Sequence, residues 1–215
     1  MRIVTAELGA CGHMEDGRPT GFCFELGNSL ASEVGLEPDN RLVPLARAVE
    51  ELLTDKADMI ISLPEKSLVE QTEDIGPIKA IALAVWARVE TPLRSVRDLE
   101  GKKVAVVRGT RNELDKARKL RFIPFPCKNH ELGFKMLMAG RVDAVLGPEQ
   151  GLAEAAKRIG LNRRFLGEPL TLDRDFMRVY VSLRVPRGVR DSLRMALNRL
   201  IEDGTVARLW KRYPI

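Results

Sequence analysis

Leu52-Leu-Thr-Asp-Lys-Ala-Asp-Met-Ile-Ile61 and Leu137-Met-Ala-Gly-Arg-Val-Asp-Ala-Val-Leu146 are two stretches of the chain that share one scheme. In both, an amphipathic segment ends in a polar turn with a basic residue, and an aspartate then begins an apolar run of strand length. The alternative is that one common helix-to-strand turn has recurred by chance. The simplest interpretation is two similar α/β lobes, with ligand-facing loops at their strand ends and a cleft between the lobes.

Short apolar runs alternate with amphipathic segments along the rest of the chain, a pattern typical of an α/β fold. Strands are predicted at residues 3–8, 58–62, 78–88, 103–107, 121–125, 142–146 and 177–185. Helices are predicted to begin near residues 20, 45, 111, 129, 189 and 205. The segment between the first strand and the first helix is rich in turn residues, which predicts a loop. The segments near 78–88 and 177–185 are predicted to be paired hinge strands.

The composition is that of a soluble globular protein, with 45% hydrophobic and 30% charged residues, and it argues against disorder over most of the length. The formal net charge is +5, but the 35 basic and 30 acidic residues are interleaved almost everywhere. A C-terminal excess of arginine lacks the interleaved aromatic residues of a nucleic-acid surface, so no nucleic-acid partner is expected. No apolar run approaches the ~20 residues of a membrane span, and the first residues do not read as a signal peptide.

The three cysteines, Cys11, Cys23 and Cys127, show no metal-binding spacing. A disulfide between Cys11 and Cys23 in an oxidising compartment is one possibility, and it would leave Cys127 free. Three separate, partly buried thiols are the favoured interpretation. The two histidines, His13 and His130, are far apart in the sequence, so we expect neither a histidine-based metal site nor a cofactor.

Five short motifs occur in order along the chain, and each alone is a weak signal. They are Asp16-Gly-Arg-Pro-Thr-Gly-Phe22, the turn at 53–61, Val96-Arg-Asp-Leu-Glu-Gly-Lys-Lys-Val-Ala-Val-Val-Arg-Gly-Thr110, Gly140-Arg-Val-Asp-Ala-Val145 and Glu202-Asp-Gly-Thr-Val-Ala-Arg-Leu-Trp-Lys-Arg-Tyr213. Together they resemble the motifs of type 2 periplasmic solute-binding proteins of ABC transporters, especially the branch that binds polar amino acids. The resemblance covers nearly the whole chain.

The resemblance implies a two-lobed α/β fold of periplasmic-binding-protein type II, with hinge strands between the lobes. Lobe 1 would comprise residues 1–85 and 180–215, and lobe 2 residues 86–179. It also implies a periplasmic or extracytoplasmic monomer that closes on a small-molecule ligand and delivers it to an ABC permease. A ligand that contacts both lobes stabilises only the closed state, so it shifts the population towards closure.

The best-supported ligand contact is Gly109-Thr110, at the start of a predicted helix. Free N–H groups and the positive end of the helix dipole attract an anion there, and Gly109 lets the backbone come close. Arg108 and Arg111 would reinforce the attraction. The plain alternative is that Thr110 only caps its own helix.

The other candidate contacts depart from the amino-acid-binding pattern. In the shortened segment from Ser62 to Lys66, Lys66 stands where the pattern has a carboxylate-gripping arginine, and lysine lacks the planar two-pronged geometry of arginine. His13 lies in the loop where the pattern has an aromatic residue. Pro148 stands where an aspartate should receive the ligand's amino group, and Glu149 follows it. These departures favour a small polar or anionic solute over a standard amino acid.

Three alternatives stay open beside the transport component. The chain could be the sensor domain of a membrane receptor, or a degenerate domain that binds nothing. A dehydratase-like enzyme on the same fold could use Glu7, His13 or Glu149 as general acid or base. The sequence carries no nucleotide-binding, zinc-protease or serine-hydrolase motif, and we expect a binding protein rather than an enzyme.

Overall fold

A computed structural model describes residues 1–109, 111–162 and 164–213, without the side chains of Arg111 and Asn112. The strands are β1 (Arg2–Ala6), β2 (His13–Glu15), β3 (Arg18–Thr20), β4 (Asp39–Val43), β5 (Met59–Ser62), β6 (Thr72–Ala87), β7 (Lys103–Val107), β8 (Ile123–Cys127), β9 (Ala144–Pro148) and β10 (Leu170–Ser182). The α-helices are α1 (Phe22–Glu33), α2 (Leu45–Leu53), α3 (Lys66–Gln71), α4 (Arg111–Leu120), α5 (His130–Met138), α6 (Glu149–Arg158), α7 (Arg187–Glu202) and α8 (Thr205–Arg212). None of these helices has the length and apolar character needed to cross a bilayer.

The chain forms two compact units. Unit 1 combines Met1–Ala80 with Phe176–Ile215, and unit 2 is Ile81–Asp175. The chain passes from one unit to the other within β6 and again within β10. The boundaries that we predicted, after residues 85 and 179, fall in the same two strands.

Unit 1 is built on a β-α-β-α-β plan. Its strands lie in the order β4-β1-β5-β10, with β1 parallel to β4 and β5, and β10 antiparallel to β5. Helix α1 connects β1 to β4, and α2 connects β4 to β5. One face of these strands packs on α2 through fully buried Val4, Ile60 and Leu52. These apolar residues recur at helix and strand spacing in the sequence, which is why the elements form where they do.

Unit 2 repeats that plan with different residues. Its strands lie in the order β8-β7-β9-β6, with β7 parallel to β8 and β9, and β6 antiparallel to β9. Helix α4 connects β7 to β8, and α5 connects β8 to β9. Val104, Leu146 and Phe122 are buried in one core cluster of the unit. The two similar α/β lobes predicted from the repeated stretch are therefore present.

The repeated aspartate has the same structural role in both units. The Asp58 carboxylate accepts a hydrogen bond from the Arg2 N–H at 2.8 Å, and the Asp58 N–H donates to the Arg2 carbonyl. In unit 2, the Asp143 carboxylate accepts from the Lys103 N–H at 2.8 Å, and the Asp143 N–H donates to the Lys103 carbonyl at 2.7 Å. This reciprocal pair joins the amino ends of two neighbouring parallel strands.

The polar turn before each aspartate also repeats. Asp55 and Gly140 occupy equivalent places after α2 and α5, and both have a positive φ, of 56° and 68°. A glycine adopts this conformation freely, whereas a residue with a side chain does not. The Asp55 carboxylate is held by the Ser182 hydroxyl at 2.7 Å and by the Arg184 guanidinium at 2.8 Å. These contacts stabilise the less favourable residue in unit 1.

Several elements differ from the sequence prediction. The predicted strand at 121–125 is shifted, because β8 continues through Pro124 and Pro126 to Cys127. Strand β8 is the outermost strand of unit 2, and an edge strand tolerates proline because one side of its backbone needs no partner. The predicted loop after β1 contains the hairpin β2–β3. Strand β4 and helices α3 and α6 were not predicted.

The favoured interpretation of three separate thiols was wrong. Cys11 and Cys23 form a disulfide, and Cys127 is the free, buried cysteine. The backbone brings the pair together, because the Cys23 N–H donates to the Cys11 carbonyl at 2.9 Å. Gly21 makes this approach possible, since a Cβ there would lie 2.6 Å from the Cys11 carbonyl oxygen. Spacing alone does not reveal such a tertiary arrangement.

Replacing Asp143 with alanine should lower the free energy of unfolding by about 1 kcal/mol, because the Lys103 N–H loses its carboxylate partner. Urea unfolding followed by circular dichroism measures the change. Asp115→Ala is the matched control, since Asp115 lies on the exposed face of α4 in a 3.5 Å surface pair with Arg118. Equal stability of the two variants would contradict the strand-joining role of Asp143.

The unreduced, denatured chain should show one reactive thiol by thiol titration, and the reduced chain should show three. Cys11→Ala combined with Cys23→Ala should lower the free energy of unfolding by about 3 kcal/mol, since the disulfide closes a short loop in the unfolded chain. The unfolding midpoint should fall by roughly 6–12 °C. A reductant should lower the midpoint of the unaltered chain and leave that of the double variant unchanged. Three reactive thiols without reduction would disprove the disulfide.

Candidate functional site

Each unit has an edge at which its three parallel strands end. In unit 1, edge 1 is the set of loops that follow Ala6, Val43 and Ser62. In unit 2, edge 2 is the set of loops that follow Val107, Cys127 and Pro148. In open α/β sheets the carboxyl ends of the strands are where ligands bind. The candidate residues from the sequence either end or follow strands that reach one of these edges.

At edge 2, Arg108 and Gly109 follow β7 directly. The Arg108 side chain is exposed, and the backbone N–H of Arg108 donates to the Cys127 carbonyl at 3.0 Å. Gly109 has a φ of 95°, a conformation that residues with side chains rarely adopt, and α4 begins two residues later. Thr110 and the side chain of Arg111 lie outside the described residues. The described part is therefore a glycine turn that leads into a ten-residue helix beside an exposed guanidinium.

Glu149 begins α6, immediately after Pro148 at the end of β9. It is half-buried and lies in the first turn of the helix. A carboxylate at this position interacts favourably with the positive end of the helix dipole. That interaction gives Glu149 a structural role that does not require a ligand. A bound ammonium group could use the same carboxylate.

His130 is a buried residue at edge 2 that we did not predict to belong to the site. It begins α5, it is 7% exposed, and its Nε2 has no hydrogen-bond partner among the described residues. The ring lies against Gly147, where an added Cβ would come within 2.4 Å of Nε2, and near Gly151 in α6. Burial lowers the pKa of His130 to about 4, so the ring is neutral at pH 7. The absence of a side chain at Gly147 makes room for this ring.

Cys127, at the end of β8, is an inert thiol rather than a reactive one. It is 2% exposed, and its Sγ donates to the carbonyls of Val106 and Asn129 at 3.3 Å. Burial and the negative charge of Glu113 raise its pKa to about 11. Glu113 is itself 4% exposed in the first turn of α4. A thiol that stays protonated at pH 7 is a poor nucleophile and a poor metal ligand.

At edge 1, Ser62 ends β5 and is half-buried. Lys66 begins α3, with 81% of its side chain exposed and its Nζ 3.8 Å from a Glu70 carboxylate oxygen. An exposed pair of this kind is weak and dissociates easily. The Lys66 ammonium therefore remains available for an anionic solute.

His13 lies in β2, opposite Thr20 of β3. The ring is half-buried, and its Nδ1 donates to the Gly9 carbonyl at 3.1 Å. It also makes an edge-to-face contact with Tyr213, with 6.2 Å between the ring centroids. The β2–β3 hairpin belongs to the loop that leaves β1 at edge 1, which is where the sequence places this candidate.

No group of three metal-ligating side chains occurs in the part of the chain that the structure describes. Four of the candidate residues have the properties of a polar solute contact: Arg108 and Lys66 are exposed cations, Gly109 forms a turn and Glu149 is a carboxylate at a helix start. The arrangement can bind charged groups by ion pairs and by backbone N–H groups.

A curated relative of the chain is the probable amino-acid-binding protein YxeM of Bacillus subtilis (strain 168), with 28% identity over 217 residues. The match covers 94% of this chain and 78% of the relative. No protein-family model matches the chain.

Solved structures share the fold over nearly the whole length. The substrate-binding protein of an amino acid ABC transporter has a TM-score of 0.82 at 18% identity, and the match covers 99% of this chain and 98% of that one. A histidine kinase sensor domain with similarity to periplasmic binding proteins has a TM-score of 0.84 at 20% identity, with 99% and 96% covered. AncCDT-1, an ancestral amino acid-binding protein and precursor of cyclohexadienyl dehydratase, has a TM-score of 0.80 at 19% identity, with 99% and 94% covered.

The two-lobed α/β fold of periplasmic-binding-protein type II, predicted from the sequence, is confirmed. The resemblance to solute-binding proteins of amino-acid ABC transporters is confirmed as well, by the curated relative and by these structures. The proteins named here are binding proteins and a sensor domain, and one is a precursor of an enzyme.

The neutral state of His130 makes stability depend on pH. The unfolded chain binds a proton near the ordinary pKa of 6.5, whereas the folded chain binds it only near 4. This stability is complete above pH 6.5 and is lost as the pH falls towards 4. The free energy of unfolding should drop by about 2 kcal/mol from pH 7 to pH 5 and by about 3 kcal/mol in all.

Urea unfolding at pH 7, 6 and 5 measures this slope. His130→Gln should flatten it in that window, and His13→Gln, which retains His130, should keep it. The same slope in all three proteins would show that another group titrates there.

Proposed function

We propose that the chain is the extracytoplasmic solute-binding component of an ABC importer and that it binds a small polar or anionic solute. The observation that carries the proposal is the match to a curated amino-acid-binding protein over 94% of the chain. The match is nearly end to end, so it includes both units and both of their edges.

The chemistry of the two edges supports a binder of charged solutes. Edge 2 offers the Gly109 turn and the exposed Arg108 at the start of a helix, a combination that suits a carboxylate or another anion. Edge 1 offers Lys66, an exposed ammonium held only by a weak pair. A carboxylate would match either feature.

Within the described residues, the edges lack the arginine and the aspartate that would bind the carboxylate and amino groups of a standard amino acid, and this indicates the class of solute. Lys66 supplies a point charge without the two-pronged hydrogen bonding of arginine, and Pro148 has no side-chain acceptor for an amino group. Glu149 is the nearby carboxylate, and it already interacts with the start of its own helix. We therefore expect carboxylates and amino acids with modified or absent amino groups to bind better than unmodified amino acids.

The extracytoplasmic location is supported by the disulfide. Cys11 and Cys23 are 8% and 1% exposed and are bonded to each other. Structural disulfides form and persist in oxidising compartments and are rare in the cytosol. The ABC permease remains the expected partner.

The second candidate is a ligand-binding sensor domain, and the observation that favours it is the match to the histidine kinase sensor domain at a TM-score of 0.84. The genes beside this one separate the two functions: permease and ATPase genes favour import, and a kinase gene favours sensing. A dehydratase would convert the bound solute, whereas a binder would release it unchanged. Mass spectrometry of the solute after incubation makes that distinction.

Thermal unfolding against a panel of solutes tests the proposal. The panel holds the twenty L-amino acids, acetate, succinate, amines, sugars, sulfate and phosphate. A solute at 100 times its dissociation constant adds about 2.7 kcal/mol to the native state, which raises the midpoint by roughly 5–10 °C for a chain of this size. A rise confined to one chemical class would identify the solute class. No rise with any solute would contradict the binding function.

Lys66→Glu should weaken the binding of an anionic solute at least tenfold, because it replaces an attractive charge with a repulsive one. Isothermal titration measures the loss. Lys56→Glu is the matched control, since Lys56 is an exposed lysine that precedes the same strand, β5, at its amino end. An equal loss in both variants would indicate a general charge effect, and no loss in either would remove Lys66 from the site.

A further inference from the structure

The hairpin β2–β3, together with the residues that flank it, forms a closed loop. The Cys11–Cys23 disulfide links the two ends of the segment 11–23. Within it, His13 pairs with Thr20 as the first rung of the hairpin. The Phe22 N–H donates to the Ala10 carbonyl at 2.8 Å. The loop is thus held at the end that joins β1 and α1.

A second fastening comes from the other end of the sequence. The Tyr213 hydroxyl, after the end of α8, lies 2.6 Å from Thr20 Oγ1. Thr20 Oγ1 donates to a Glu25 carboxylate oxygen at 3.1 Å, so the Tyr213 hydroxyl is the donor to Thr20. Thr20 and Tyr213 are 7% and 6% exposed. The result is a hydrogen-bond chain from Tyr213, just after α8, through Thr20 of the hairpin to Glu25 of α1, and its Tyr213–Thr20 bond is buried.

The Tyr213 ring also packs against His13, the residue that pairs with Thr20 in the hairpin. Its edge-to-face contact with His13 has 6.2 Å between centroids, and His13 Nδ1 also donates a hydrogen bond to the Gly9 carbonyl. One turn earlier in α8, Trp210 packs edge-to-face on Phe22, with 5.3 Å between centroids. Tyr213 therefore contacts both His13 and Thr20. Trp210 packs helix α8, which ends just before Tyr213, against Phe22.

We propose that Tyr213 is a positioning residue for solute binding at edge 1, because it fixes the His13–Thr20 rung of the hairpin. This inference rests on the proposed function and adds to it a residue from the far end of the chain. The Tyr213 hydroxyl contacts Thr20 rather than the solute. Its effect on affinity is indirect, through the order of the loop that leaves β1.

The first test needs no solute. Tyr213→Phe removes the hydroxyl and keeps the ring, so the variant should fold. Hydrogen exchange of residues 13–20, measured by mass spectrometry, should become about fivefold faster, because one buried hydrogen bond is lost. Thr20→Val should show at least this change, because it also removes the hydrogen bond to Glu25. The double variant should exchange no faster than Thr20→Val alone, and Thr20→Ser should exchange like the unaltered chain. Unchanged exchange in Tyr213→Phe would overturn the inference.

Tyr180→Phe is the matched control, because it removes the only other tyrosine hydroxyl of the chain, from a fully buried side chain in β10 of the same unit. This variant should leave the exchange of residues 13–20 unchanged, even if it lowers the unfolding midpoint. If residues 13–20 also exchange faster in Tyr180→Phe, the faster exchange in Tyr213→Phe reflects general destabilisation of the unit. That result would overturn the inference.

The second test measures affinity by isothermal titration at a temperature where every variant is folded. The probes are the twenty L-amino acids, acetate, succinate and phosphate. For any probe that binds the unaltered chain, Tyr213→Phe should raise the dissociation constant about threefold to tenfold, and Tyr180→Phe should not. An unchanged dissociation constant in Tyr213→Phe would overturn this inference alone. No binding of any probe to the unaltered chain would count against the proposed function as well.

Discussion

In each unit a carboxylate joins the amino ends of two neighbouring parallel strands. Asp58 receives the first N–H of β1, and Asp143 receives the first N–H of β7. Partial burial on its own raises the pKa of Asp58, but the hydrogen bonds from Arg2 outweigh it and lower that pKa. A slip of one residue would turn every side chain to the opposite face. The carboxylate therefore fixes the register, and the register brings the far ends of the strands level with one another.

The loops at edges 1 and 2 depend on that alignment. Strands that start in register and have similar lengths also end together, so glycine turns and helix starts gather on one side. The residues on that side differ in chemical character between the units. Edge 2 carries a buried neutral histidine next to Gly147 and a carboxylate at the start of α6. Edge 1 carries an exposed lysine and a hairpin whose ends are linked by a disulfide. The two units have the same order of strands and helices, but the residues at edge 1 and edge 2 differ in chemical character.

The sequence predicts the features that depend on neighbouring residues. The repeated turn and aspartate, the strand at 103–107 and the helix at 111–120 follow from local spacing of apolar residues and from local turn chemistry. Strand β8 was misplaced because its two prolines are acceptable only at an edge, and edge position is a property of the whole sheet. The disulfide and the burial of His130 depend on partners brought close by tertiary structure, such as Gly21 for Cys11 and Gly147 for His130. The candidate residues Lys66, Arg108 and Glu149 remain predictions as ligand contacts; the sequence indicates that they follow strands, but not which side chains surround them.

Unit 2 is one uninterrupted stretch of chain, whereas unit 1 needs both Met1–Ala80 and Phe176–Ile215. Synthesis from the amino end therefore delivers all of unit 2 before unit 1 has received α7 and α8. Until then the nascent unit 1 lacks β10 beside β5, and Phe22 lacks the cover of Trp210. Cys11 and Cys23, by contrast, are both present early. The disulfide between them therefore needs no residue of Phe176–Ile215, whereas the contact between Tyr213 and Thr20 needs residues of both segments.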